Sequence, residues 1–156
     1  MNSILIGYGS QTGMVEEISN ILYNKLKKYK IKVTLSELNK IILNELFKYN
    51  YFIILISTTG DGEFPDNAFK FWRKIYKLKK NKEEYNKYDF SKIKYCIFGF
   101  GDKSYINYCK PSKNLDKIFK FYKITKFYKT TFYDDEIKNE QIIENWIDNI
   151  VLFFIP

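Results

Sequence analysis

A chain of 156 residues is long enough for one domain to bury about two thirds of its unfolded surface and to fold on hydrophobic burial alone. Apolar runs such as "FIILI" are far too short to cross a bilayer, and the start "MNSILIGYG" lacks the basic and small-residue features of a secretory signal, so a cytoplasmic protein without a membrane segment is expected. The formal net charge of +8 would suit nucleic acid, but every cation except Arg73 is Lys, and the seven cations from Lys70 to Lys82 read as a solvated face, so no nucleic-acid partner is expected.

The acids gather elsewhere. Asp61, Glu63 and Asp66 lie in a stretch without cations, and "YDDE" adds Asp134, Asp135 and Glu136. The molecule should therefore be dipolar. Only Cys96 and Cys109 are present, and Cys96 sits in an apolar run, which argues against a disulfide framework and for a reducing compartment.

In chain order, "SILIGY" predicts a strand and residues Met14 to Tyr29 a helix, with Val15, Ile18, Leu22, Leu26 and Tyr29 as its apolar stripe. "IKVTLSE" alternates as a second strand, and a short helical stretch follows around Ile42 to Phe47. "YFIILIS" and "KYCIFGF" are near-continuous apolar strands. Between them the spacing predicts a helix from about Asn67, with Ala68, Phe71, Trp72, Ile75 and Leu78 on one side, then a polar surface loop from Asn81 to Ser91. A helix near Ser112 to Tyr122, a weaker strand in "ITKFYKTTFY" and a helix from about Asn139 complete the chain, the last with Ile143, Trp146, Ile147, Ile150 and Phe154 inward.

Five such βα units imply an α/β fold with a parallel sheet covered by helices on both faces. Continuous apolar strands belong at its centre and alternating ones at its edges, so the first, third and fourth strands are central and the order is 2-1-3-4-5. A doubly wound sheet of that order binds ligands at the carboxyl ends of its central strands. Those ends lead into "GSQTGM", "STTGDGEFPDN" and "GFGDKSYINYC". The first loop is uncharged, rich in hydroxyls and amides, and opens a helix, which suits an anion; it lacks the Lys of a Walker loop and the G-x-G-x-x-G of a dinucleotide fold. The plainer alternative is that Thr12 caps the helix.

Together the three loops resemble those of the flavodoxin-like FMN domain of the NADPH-dependent diflavin reductases. "YGSQTGMVEEIS" is similar to that family's phosphate loop and first helix, "STTGDGEFPDNAFKFW" to its second flavin loop and "FGFGDKSYINYCKPSKNLDKIF" to its third, while "YDDE" falls where the family has an acidic turn. "STTG" and "YCKPSKNLDK" look nearer to methionine synthase reductase and the diflavin reductase of iron–sulfur assembly than to microsomal cytochrome reductases. The resemblance implies one flavodoxin-like FMN-binding domain over residues 1–156, a five-stranded sheet of order 2-1-3-4-5, FMN as cofactor, and neither a metal nor a catalytic side chain.

The resemblance also assigns residues. Ser10, Gln11, Thr12, Gly13 and Met14 would hold the FMN phosphate through dipoles. Ser57, Thr58, Thr59 and Gly60 would pass beside the ribityl chain and ring, with Gly60 and Gly62 allowing a carbonyl to turn toward flavin N5 when that atom gains a proton. Gly99, Phe100 and Gly101 lead into the third loop. Asp61, Glu63 and Asp102 would disfavour an anionic reduced ring, and Asp135 belongs to the acidic turn. Tyr105 would stack on the isoalloxazine, with Tyr108 lining the pocket and Cys109 near its edge or simply packed in the loop.

Two features depart from the family. "TTGDG" stands where microsomal cytochrome reductases resemble "TYGEG", so Thr59 replaces an aromatic, and the overall charge is basic where these FMN domains are usually acidic. No FAD or NADPH module follows "IVLFFIP", so the chain is expected to be an excised domain or a free-standing electron-shuttle flavodoxin. It would then act as a monomer, receiving electrons from an FAD/NADPH reductase module and passing them singly to a haem, cobalamin or iron–sulfur acceptor. A flavodoxin-like binding module without FMN is the remaining reading.

Overall fold

The computed structural model describes residues 2–156. Strand β1 (Ser3–Gly9) leads into helix α1 (Met14–Lys28), and β2 (Lys32–Glu37) is followed by the short α2 (Leu43–Leu46) and β3 (Tyr51–Ile56). Next come α3 (Phe69–Lys77), a one-turn α4 (Lys82–Tyr85), β4 (Lys94–Gly101) and α5 (Lys110–Phe121). Two short strands, β5 (Thr125–Lys126) and β6 (Thr131–Asp134), precede α6 (Glu140–Phe154).

All strands run parallel in the order β2-β1-β3-β4-β5, with β6 also on β4. The order follows from burial. Alternate residues of the central strands feed opposite cores: Ile53, Leu55, Cys96 and Phe98 join α1 and α6 on one face, whereas Phe52, Ile54, Tyr95 and Ile97 join α3 and α5 on the other. A strand that buries both faces must be apolar at every position, which is why these runs do not alternate. On α1, Val15, Ile18, Leu22 and Leu26 are buried as the helical spacing predicts, but Tyr29 lies beyond the last turn and is exposed. Both cysteines are free and buried.

Three expectations change. The strand predicted in "ITKFYKTTFY" is two pieces: Thr125 and Lys126 pair with Lys94 and Tyr95, and Thr131–Asp134 pair with Phe98–Gly101. Phe127 N still donates to Tyr95 O at 3.0 Å, and the chain leaves the ladder after it, where the Phe127 ring packs against Tyr51 and against Phe153 and Phe154 at the end of α6. Secondly, the polar segment Asn81 to Ser91 contains α4, capped by Asn81 Oδ1 accepting from Glu84 N at 3.1 Å. It also buries Phe90 in a ring stack with Tyr85 and Tyr122, a contact between residues too far apart for polarity alone to reveal. Thirdly, the helix expected from Ser112 begins at Lys110, with Pro111 in the first turn, where its missing N–H costs nothing.

Candidate functional site

The three loops meet at the carboxyl ends of β1, β3 and β4. In the first, Ser10 Oγ accepts from Gly13 N at 3.0 Å, and Gly13 is the N-cap of α1 at φ 92°. Only glycine takes that left-handed conformation without strain, and it brings no side-chain oxygen, so no side chain caps α1. Thr12 is therefore not the cap. Gln11, Thr12, Gly13 and Met14 are all exposed, which leaves amide dipoles and the positive end of the helix facing solvent.

The second loop is a tight reversal. Thr59 and Glu63 exchange backbone hydrogen bonds of 2.9 and 2.8 Å around Gly60 at φ 51° and Gly62 at φ 91°. A Cβ on Gly62 would come within 2.6 Å of Asn107 Cβ, so that position is closed to side chains by contact as well as by conformation. Thr58 Oγ1 donates to Phe100 O at 2.8 Å, which ties this loop to the end of β4.

In the third loop, Asp102 Oδ1 accepts from both the hydroxyl and the amide of Ser104, and these bonds hold its carboxyl below the usual carboxylate range. Asn107 Nδ2 donates to Asp61 O at 3.2 Å and to its Oδ1 at 3.1 Å, joining the third loop to the second. Tyr105 is 62% exposed, as an aromatic waiting for a flat ligand would be, and Ile106 beside it is fully exposed. Tyr108 is half-buried, 6.1 Å from the Phe132 ring.

Not every expected residue presents its side chain to this crevice. Phe100 is wholly buried against Phe98 and Tyr133, so only its backbone serves the loop. Gly99 lies under Ser112 of α5, leaving no room for a Cβ. Cys109 is buried beneath Gly101 at φ 53°, and burial pushes its thiol up to about 12.

The acidic turn closes the site. Asp135 N donates to Gly101 O at 2.7 Å, and Asp134 Oδ1 accepts from Lys103 N at 3.2 Å and from Glu136 N at 3.0 Å. Burial, reinforced by Asp134 and Asp102, pushes the Asp135 carboxyl up to about 6. Sequence reasoning missed Asn67, whose Oδ1 accepts from Ser10 N at 2.9 Å and so fastens the first loop to the end of the second. It also missed Asn39, which donates to Asp66 O at 2.7 Å and accepts from Phe71 N at 3.0 Å. Nothing local marks either residue; their roles exist only once β1, β2 and the second loop lie side by side.

Polar groups buried without partners are costly, at about 1–3 kcal/mol each, so they mark places built for something else. Of the four such groups among the described residues, Ser57 Oγ and Thr59 Oγ1 lie in the second loop and Asp135 Oδ1 in the acidic turn, while Trp146 Nε1 lies in the core under α6. With the uncapped α1 and the exposed Tyr105, the two hydroxyls as donors and the carboxylate as an acceptor form a polar set that fits a flat, polar-tailed phosphate ligand such as FMN.

A sheet of this order with these loops at its carboxyl edge defines a flavodoxin-type domain, and residues 6–146 match the flavodoxin family, to which the chain belongs. FMN is the cofactor of that family. NADPH-dependent diflavin oxidoreductase 1 of Candida albicans is 38% identical over 107 residues, 67% of this chain and 17% of its own length. Methionine synthase reductase of Caenorhabditis elegans is 32% identical over 152 residues, 95% of this chain and 21% of its own. The chain thus spans about a fifth of the length of these relatives. A mutant flavodoxin from Pseudomonas aeruginosa shares the fold at a TM-score of 0.78 and 18% identity, with 96% of this chain and 97% of that one aligned. Among the described residues no helix is long and apolar enough to cross a membrane.

Proposed function

We propose that residues 1–156 act as the FMN-binding electron-transfer domain of an NADPH-dependent diflavin oxidoreductase. In this reading it accepts electrons from a reduced FAD module and delivers them one at a time to a haem, cobalamin or iron–sulfur protein, as a cytoplasmic monomer. The observation that carries the reading is the uncharged loop before the uncapped start of α1, standing beside orphaned hydroxyls in the second loop of a chain related to two diflavin reductases.

Bound FMN supplies what no side chain here has, the capacity to take up and release single electrons. The chain supplies position and field. Ser10, Gln11, Thr12, Gly13 and Met14 surround the phosphate with amides and hydroxyls, so its charge is met by dipoles that need no proton. Ser57 Oγ and Thr59 Oγ1 would find in the cofactor the partners they lack, and Thr58, bonded to Phe100 O, holds the second loop on β4. Tyr105, exposed at the crevice, would be the aromatic to stack on the ring, and Thr59 would offer less cover than an aromatic in its place. Asp61, Glu63 and Asp102 set a negative potential at the ring edge, which disfavours accumulation of negative charge there and makes the domain a willing donor.

A second reading is an independent electron shuttle, the alternative that the shared flavodoxin fold leaves open. Reconstitution with FMN and stepwise anaerobic reduction tests the site: bound flavin with quenched fluorescence, reduced in two separable one-electron steps, is expected. A chain that stays colourless in excess FMN overturns the reading. Mixing the loaded chain with NADPH and a separate FAD module, with a cytochrome as final acceptor, then tests the electron route. Reduction only when that module is present supports the diflavin assignment, and failure with it but success with an unrelated flavodoxin reductase favours the shuttle.

A further inference from the structure

On the sheet face opposite α1 and α6, a groove of about 380 Å³ runs between α3 and α5. Trp72 and Ile118 line its interior, Tyr76 and Phe121 its sides, and Lys79 and Lys117 its rim. Phe121 is 58% exposed and Tyr76 37%, a large aromatic surface left to water. Lys79 Nζ stands 4.9 Å above the Phe121 ring, and Lys80 Nζ 5.4 Å above that of Tyr76.

The charge around this groove lacks local compensation. Helix α3 contains no acid, and among the described residues Lys70, Arg73, Lys74, Lys77, Lys79 and Lys117 form no ion pair. Of the acids on the flanking α4 and α5, Asp116 is held by Lys120 at 3.1 Å and Lys126 at 2.9 Å, and Glu84 by Lys87 at 3.0 Å; only Glu83 is unpaired. Unpaired like charges crowded on one helix repel one another, and a ligand bringing carboxylates relieves that repulsion.

We propose that the α3–α5 groove is a docking site for an acidic peptide segment of a partner protein. One bulky apolar side chain seats against Trp72 and Phe121, and flanking carboxylates pair with Lys79 and Lys117. The shape selects this occupant. A bilayer is flat, whereas these aromatics line a concavity sized for one or two side chains. Phosphate-rich nucleic acid is best held by bidentate arginine, and this face has one Arg among its lysines. No residue of the three flavin loops lines the groove; Phe64 of the second loop touches it only through Trp72, so the rim residues Lys79, Lys117 and Phe121 can be changed apart from the cofactor site. Trp72 stacks on Phe64 with centroids 5.0 Å apart and serves as the reporter, because Trp146 is buried in the opposite core.

The test titrates the 156-residue chain with a labelled peptide rich in Glu and Asp around a central Phe, with its Phe-to-Ser and its Lys-for-acid counterparts, with phosphatidylserine vesicles and with poly(U). The acidic Phe peptide is expected to bind, to change Trp72 emission, and to weaken about ten-fold as salt rises from low to physiological levels. The double change Lys79→Glu and Lys117→Glu should weaken it about ten-fold, Phe121→Ser should weaken it severalfold, and both should leave FMN affinity unchanged. Peptide affinity that survives both variants overturns the proposal. So does a face that binds vesicles or poly(U) but not the peptide.

Discussion

The first loop and the acidic turn lie at the same edge of the sheet and are built in opposite ways. The first loop has no charged side chain and leaves the start of α1 uncapped, so it offers positive potential from backbone alone. The acidic turn concentrates Asp134 and Asp135 beside Asp102 and buries one carboxylate oxygen without a partner. A cofactor laid between them would keep its permanent charge at one end, where anions are welcome, and its variable charge at the other, where they are not. Under the proposed function, that difference would let one crevice hold the phosphate and still disfavour negative charge on the ring.

The sharpest way to break the contrast is Thr12→Glu, which places a negative charge where the phosphate would sit. We expect FMN affinity to fall by ~100-fold or more, read from titration of flavin fluorescence, since like charges at contact distance cost several kcal/mol in a partly dry site. Unchanged affinity would remove the first loop from the site. Tyr105→Ala should cost about ten-fold in affinity and relieve fluorescence quenching, in line with the ~0.5–1.5 kcal/mol of an aromatic pair plus lost burial. If neither quantity moves, another side chain covers the ring.

The acidic turn can be tested in the FMN-free chain through stability. The folded Asp135 carboxyl is raised to about 6 while an unfolded Asp titrates near ~3.9, so the folded state binds the extra proton between those values. The contribution of Asp135 to stability therefore falls as pH rises from about 4 to about 6, and at neutral pH its buried charge is a standing cost. Asp135→Asn should recover about 1 kcal/mol at pH 7 in urea unfolding, a figure discounted because the group is only half-buried, and should flatten the pH dependence over that window. Equal stability of the two proteins at pH 5 and pH 7 would show that the turn stores no such cost. The smallest effect is expected from Asn107→Ala: loss of its two exposed bonds to Asp61 should lower FMN affinity about threefold by loosening the second loop.

Much of this architecture was legible because it is written in local patterns. "YFIILI" and "CIF" are apolar at successive positions and could only be central strands, and Val15, Ile18, Leu22 and Leu26 recur at the helical spacing that buries them. The three loops stood out because polar and glycine residues follow directly on apolar runs. Less legible was what depends on distant partners: the Phe127 ring packing on Phe153 and Phe154, and Phe90 clustering with Tyr85 and Tyr122.

From the sequence alone came the strand order and the polar, glycine-rich loops that follow the central strands, since each follows from burial or from backbone chemistry within a few positions. Tertiary structure decided the rest. Ser10 meets Asn67, Asn107 meets Asp61 and Asp135 meets Gly101 across separations of 57, 46 and 34 residues, so the site closes only after the strands have taken their register. The same closure withdraws Phe100 and Cys109 into the core and strands the carboxylate of Asp135, because a side chain's surroundings are set by whatever packs against it, and that is not written beside it in the chain.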